Sequence, residues 1–125
     1  MKDYVKKALR TEVYDFKAIK SRLNDEETIR LLHSAIGLST EANEFLDMLK
    51  KHIYYGKELD LPNIKEEVGD GFWYSAIAID VLKTTFDEVM SVNIEKLKAR
   101  YPEKFTSEKA MNRDLDKERK ILEKT

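Results

Sequence analysis

At 125 residues the chain is long enough to bury one core, and a single domain over residues 1–125 is expected. Charged residues make up 38% of it and hydrophobic ones 42%, which suits a helical protein with a heavily solvated surface, and a net charge of −1 gives no pull toward a nucleic-acid polymer or an anionic membrane. Cysteine is absent, which excludes disulfides and thiolate metal sites.

Taken in chain order, the first elements expected are short helices over residues 3–11 and 15–23, or one helix with a bend. The N-terminal stretch through Lys7 is basic but lacks the apolar run of a signal peptide. Asn24-Asp25 then has the form of a helix start, with Glu26 and Glu27 near the positive end of the dipole. Ile29, Leu32, Ile36, Leu46, Leu49 and Ile53 recur at helical spacing over residues 26–55. Gly37, Ser39 and Thr40 are candidate points of a bend or an interruption, and Gly56 is a candidate C-terminal cap. Pro62-Asn63 restarts structure, and residues 64–82 form the most apolar helix candidate. Its run Ala76-Ile77-Ala78-Ile79 could pass for a strand, but it sits inside a long uninterrupted segment. Thr84-Thr85 caps a helix over residues 86–100, which Pro102 stops. Thr106 or Ser107 opens a last, polar helix through Arg113 to about Leu122. The charge alternation of residues 114–124 reads as ordinary solvated helix, as does His52. No run approaches the ~20 apolar residues that span a bilayer, so a soluble, cytoplasmic protein is expected. The pattern as a whole predicts an all-α helical bundle.

Four acids stand out as two i,i+3 pairs, Glu41 with Glu44 and Glu67 with Asp70. Residues three apart share a helix face, so each pair offers two carboxylates side by side. If the two helices pack antiparallel, four carboxylates converge, and such a concentration of charge is strongly repulsive without a cation. An all-oxygen ligand set favours Mg²⁺ or a similar hard ion. The connection allows the meeting. Glu44 lies ~16 Å of helix from Tyr55, and Glu67 ~6 Å from Asn63, so the offset of roughly 10 Å needs about three extended residues of the seven in 56–62. At 100° per residue, Glu41 and Glu44 share a sector roughly 80° wide with His33 and Gly37. Asn63, Glu67, Asp70, Tyr74 and Ile77 share a face of the second helix. Gly69 and Gly71 flank Asp70, each costing about 1 kcal/mol relative to alanine in a helix interior. They suggest close approach there, by a second backbone or a ligand. A single ExxE in so charged a chain is more often a solvated stripe, and it is the second pair that points to a site.

The pattern Glu41-x-x-Glu44, then Glu66-Glu67-Val68-Gly69-Asp70, resembles the ExxE…ExxD signature of the all-α NTP pyrophosphatases. That superfamily includes MazG-type enzymes and the dimeric dUTPases and dCTPases. The wider stretch, from Leu38-Ser-Thr-Glu-Ala-Asn-Glu-Phe to Asn93-Ile-Glu-Lys-Leu-Lys-Ala-Arg-Tyr-Pro, is similar to small single-domain MazG-like proteins, many of them phage-borne. The resemblance implies a four-helix core behind a short helical N-terminal segment. It also implies Mg²⁺-dependent hydrolysis of a nucleoside triphosphate between the α and β phosphates, giving the monophosphate and pyrophosphate, with Mn²⁺ as a possible substitute. On this chain Glu41, Glu44, Glu67 and Asp70 would be the catalytic metal ligands, with Glu41 favoured to take the proton of the attacking water. Glu66, about 100° around the helix from Glu67, reads as a supporting or surface group. Asn93 would assist the metal or the sugar, Lys96 would meet the phosphates, and Arg100 and Arg113 match basic positions less securely. A homodimer or a homotetramer is implied as well.

Asn93, Lys96 and Arg100 also share a face by spacing alone, i, i+3 and i+7, though such a stripe is usually solvated. His33, Trp73 and Tyr74 are the candidates to stack on a nucleobase. Trp73 fits the core better, and Tyr74 shares the face of Asp70. Lys50 and Lys51 fit either phosphates or solvent. A ferritin-like di-metal site is disfavoured, because it needs Glu-x-x-His pairs and Arg30 and Leu49 stand three residues before the two histidines. The remaining alternative is a non-catalytic helical protein that binds a nucleotide or a partner.

Overall fold

The computed structural model describes residues 2–123, and among them every regular element is helical. Helix α1 (Lys2–Ala8) runs into a 3₁₀ turn (Leu9–Thr11) and is followed by α2 (Phe16–Leu23), α3 (Glu26–Tyr55), α4 (Leu61–Val81), α5 (Phe86–Arg100), α6 (Ser107–Met111) and α7 (Leu115–Leu122). The all-α class is as expected, with a short helical segment ahead of the long helices. Compact units are formed by Met1–Tyr74 and by Ser75–Thr125, with α4 belonging to both.

Side-chain caps account for most helix starts. The carboxylates of Asp15, Asp25 and Asp114 accept from the amides three residues on, at 3.0, 2.8 and 2.9 Å. The hydroxyls of Thr85 and Thr106 do the same at 3.1 and 3.3 Å. Each satisfies an amide that has no partner within the helix. At the end of α3, Gly56 takes a left-handed conformation, φ 67°, and its N–H reaches back to the His52 carbonyl. That conformation favours glycine over any residue with a Cβ. Helix α4 begins at Leu61, three residues before the expected start, and so takes in Pro62. Proline is tolerated there because first-turn amides have no helical acceptor.

Two expectations are corrected. Residues 37–40 do not interrupt α3, which runs unbroken for 30 residues. The final helix is two helices, broken at residues 112–114, where Asp114 spends its side chain on capping α7.

Within the first unit, α3 and α4 run antiparallel, and their contacts fix the register. The Ser34 hydroxyl donates to the Tyr74 carbonyl at 2.7 Å, Glu41 meets Glu67 and Asp70, and the Asn63 amide lies 3.2 Å from the Met48 sulfur. As one number rises the other falls. Small residues permit this approach. Ser34 and Gly37 are both buried, and a Cβ built on Gly37 would overlap the Tyr74 ring at Cγ, Cδ1 and Cε1. At Gly69 and Gly71, the positions expected to need close approach, nothing among the described residues beyond the neighbouring helix backbone lies within 4 Å of an added Cβ. The close approach is at Gly37 instead.

In the second unit α5 packs on α7. Its buried contact is polar. Glu118, 4% exposed, accepts from Arg100 at 2.8 and 2.5 Å and from the Arg113 terminal nitrogen at 2.7 Å.

Candidate active site

Antiparallel pairing of α3 and α4 brings Glu41, Glu67 and Asp70 together, with one oxygen from each inside a group no more than 4.8 Å across. Glu67 is the buried member, 7% exposed, while Asp70 is exposed. The Asn63 side-chain amide donates to Glu67 at 3.2 Å from one turn earlier on α4, and the Thr40 hydroxyl, which donates to the Gly37 carbonyl at 2.8 Å, lies 3.2 Å from Glu41. Burial first, then the adjacent Glu41 carboxyl and the charges of Glu44 and Glu66, push the Glu67 carboxyl above its usual range. A dense oxygen donor set whose members repel one another fits a hard divalent cation, which would relieve that repulsion.

Glu44 stands outside this group. It is exposed and lines a cavity of about 360 Å³ that it shares with Glu67, Asn63, Met48 and Lys51. On the other side of Glu67 a smaller cavity, about 200 Å³, is lined by Glu41 together with Leu38, Phe45 and Val68.

His33, Trp73 and Tyr74 form an aromatic group toward the N-terminal end of α3. His33 meets Trp73 and Tyr74 edge-on at centroid distances of 6.2 and 5.6 Å, and the two α4 rings lie 4.8 Å apart. Trp73 is 57% exposed, which corrects its reading as core. An apolar helix flank is no guide to burial when the facing contact is carried by Ser34 and Gly37.

The basic face expected on α5 divides. Asn93 and Lys96 line a cavity of about 320 Å³ with Glu88, Val89, Val92 and Leu122. Arg100 turns to Glu118 and keeps only 16% of its side chain exposed, and Arg113 joins it. Arg100 and then Arg113 hold the Glu118 carboxyl down to about 2. Glu118 was missed as part of a solvated helix. The signal was present, since Leu115, Glu118 and Leu122 fall at i, i+3 and i+7, on one face of α7. His52 is likewise no idle surface residue, because its Nδ1 lies 2.7 Å from the Lys57 carbonyl and closes the turn at Gly56. Lys50 and Lys51 both pair with Asp47, Lys51 at 2.6 Å.

The family model of the MazG nucleotide pyrophosphohydrolase domain matches residues 32–105. This chain belongs to the MazG nucleotide pyrophosphohydrolase family. The matched region begins beside His33, contains both acidic pairs, and runs through α5. No curated protein and no solved structure matches the chain. The family is one of hydrolases acting on nucleotide pyrophosphate bonds, and in this MazG chain the group Glu41, Glu67 and Asp70 could bind a metal. No helix among the described residues is long and apolar enough to cross a membrane.

Proposed function

We propose that this MazG-family chain hydrolyses nucleoside triphosphates between the α and β phosphates, releasing a monophosphate and pyrophosphate. The observation that carries the reading is the convergence of Glu41, Glu67 and Asp70 on one spot inside the matched region. These three would hold Mg²⁺, or Mn²⁺ in its place, and Glu44 supplies a fourth carboxylate through the cavity it shares with Glu67. When bound, the cation supplies charge neutralisation and Lewis acidity at the polyphosphate. Glu41 accepts the proton of the attacking water. Tyr74, His33 and the exposed Trp73 form the stacking surface for the base.

Asn93 and Lys96 are the α5 contacts for sugar and phosphate. Arg100 and Arg113, engaged by Glu118, serve through the support they give α5. The two compact units belong to one functional domain, since the family match over residues 32–105 runs from the first into the second. The working form is a homodimer or homotetramer in the cytoplasm. Leu46, Ile53, Phe72 and Trp73 are each more than half exposed, and apolar side chains left on the surface of α3 and α4 favour burial against a second copy.

Incubation of the protein with each common NTP and dNTP, with Mg²⁺ or with EDTA, and ³¹P NMR of the products tests the reading. Monophosphate plus pyrophosphate, formed only with metal, is expected. Orthophosphate plus diphosphate would place the cut at the wrong bond, and no turnover of any nucleotide would favour a non-catalytic binding protein.

A further inference from the structure

The paired helices α3 and α4 carry three kinds of chemistry in a fixed order. At one end stand the rings of His33, Trp73 and Tyr74. Two helical turns on, ~12 Å along α3, lie the carboxylates Glu41, Glu67 and Asp70. Beyond them the 360 Å³ cavity leads from Glu44 and Glu67 past Met48 and Asn63 to Lys51, the only ammonium group lining it. Side chains on a helix tilt toward its N-terminus. Lys51 therefore leans back over Asp47, one turn earlier, in the direction of the carboxylates.

The charge around Lys51 is arranged so that its ammonium can be given to another anion. Asp47 is held by two lysines, Lys50 and Lys51, and Lys50 acts on it more strongly. When Lys51 leaves, Lys50 still neutralises Asp47. The turn at Gly56 fixes the far edge, since the Lys57 amide donates to the Lys51 carbonyl at 3.3 Å. A further cavity there, about 330 Å³, is lined by Lys51 and Lys57 together with Glu58 and Asp60, so its charges balance one for one.

Resting on the hydrolase reading above, we infer that Lys51 binds the pyrophosphate end of the substrate, with the nucleoside at the aromatic end and the α phosphorus at the carboxylates. In the reaction a bond forms between the water oxygen and the α phosphorus as the α–β bridging bond breaks. The electron pair of that bond leaves on pyrophosphate, and the water's proton passes to a carboxylate. Lys51 meets the charge that accumulates on the leaving group, on the side of the site away from the rings.

The test measures binding of inorganic pyrophosphate and of each nucleoside monophosphate to the full chain by calorimetry, with Mg²⁺ present, in wild type, K51A, K51R and K50A. K51A should weaken pyrophosphate binding by about tenfold or more, the scale of one lost charge-assisted hydrogen bond. Monophosphate affinity should stay within about twofold, K51R should recover most of the loss, and K50A, which leaves Asp47 to Lys51 alone, should weaken pyrophosphate binding by less than K51A does. Unchanged pyrophosphate binding in K51A, or an equal loss for monophosphate, would overturn the inference. Wild-type turnover measured alongside separates the two claims. Full turnover with no effect of K51A removes the inference alone, while Lys51-dependent pyrophosphate binding without turnover removes only the hydrolase reading.

Discussion

Alanine at Gly37 is the sharpest probe of how the site is assembled. A methyl there would occupy the space of the Tyr74 ring at Cγ, Cδ1 and Cε1. The ring cannot simply tip aside, because Cγ is the atom nearest the backbone and the Tyr74 carbonyl is held by Ser34 at 2.7 Å. Either Tyr74 leaves its rotamer or α3 and α4 part locally, and overpacking of this kind costs about 1–3 kcal/mol. Against it stands the helix-propensity gain of alanine over glycine, about 1 kcal/mol. The overlap reaches down to Cγ, so the net loss should be about 1–2 kcal/mol, a fall in melting temperature of roughly 3–10 °C for a chain of this size. Gly69→Ala is the control. Among the described residues nothing beyond the neighbouring helix backbone lies within 4 Å of its Cβ, so the propensity gain should stand and the melting temperature should rise. Circular-dichroism melts of both variants against wild type decide the matter. A G37A protein that melts at or above wild type would refute the wedging of Tyr74 on Gly37.

Asp70→Asn should abolish nucleotide turnover while leaving the far-ultraviolet spectrum unchanged, and wild-type rates would remove Asp70 from the site. Mg²⁺ at a hundredfold excess over its Kd should stabilise the wild-type fold by about 2.7 kcal/mol, an increment that a thermal melt of D70N with and without Mg²⁺ should lack. Glu118 is held at about 2 by Arg100 and Arg113, against an ordinary 4.5. A depressed carboxyl adds stability above its unfolded value and loses it as pH falls toward the folded one. E118Q should therefore melt several degrees lower at pH 7, with the gap to wild type closing from about pH 5 downward. Parallel stability curves over that range would contradict the pairing.

Much of the fold was legible because its signals are local. Capping residues such as Asp25 and Thr85, the glycine at 56 and the apolar spacing of α3 each act within one or two turns, so a linear reading recovers them. The acidic pairs were legible for the same reason, since i,i+3 spacing fixes a shared face before any partner is known. What escaped depends on contacts distant in sequence. Nothing near Gly37 says that Tyr74, 37 residues on, will lie against it, and two glycines beside Asp70 drew attention to the wrong place. Trp73 carries the composition of a core residue, but its exposure is decided by which α4 face Ser34 and Gly37 admit. Glu118 was hidden by its neighbours. In a run of alternating charge, only the tertiary pairing with Arg100, 18 residues earlier, separates the buried carboxylate from the solvated ones.

These nonlocal contacts also govern the chemistry. The carboxylate group is no more than 4.8 Å across, whereas sliding α4 along α3 by one turn moves it about 5.4 Å. A one-turn slip would therefore break the group, leaving Glu41 without its α4 partners. Nothing in the acids themselves opposes that slip, since their mutual repulsion, which raises the Glu67 carboxyl, drives them apart. The register must be held elsewhere, by the Asn63 contact with Met48, the Ser34 bond to the Tyr74 backbone and the seat of the Tyr74 ring on Gly37. The same tyrosine then presents its ring to His33. A contact that helps place the three carboxylates therefore also places the aromatic group, so under the proposed function a substitution at Gly37 should weaken Mg²⁺ and nucleotide binding together in calorimetry, although Gly37 has no side chain to touch either ligand.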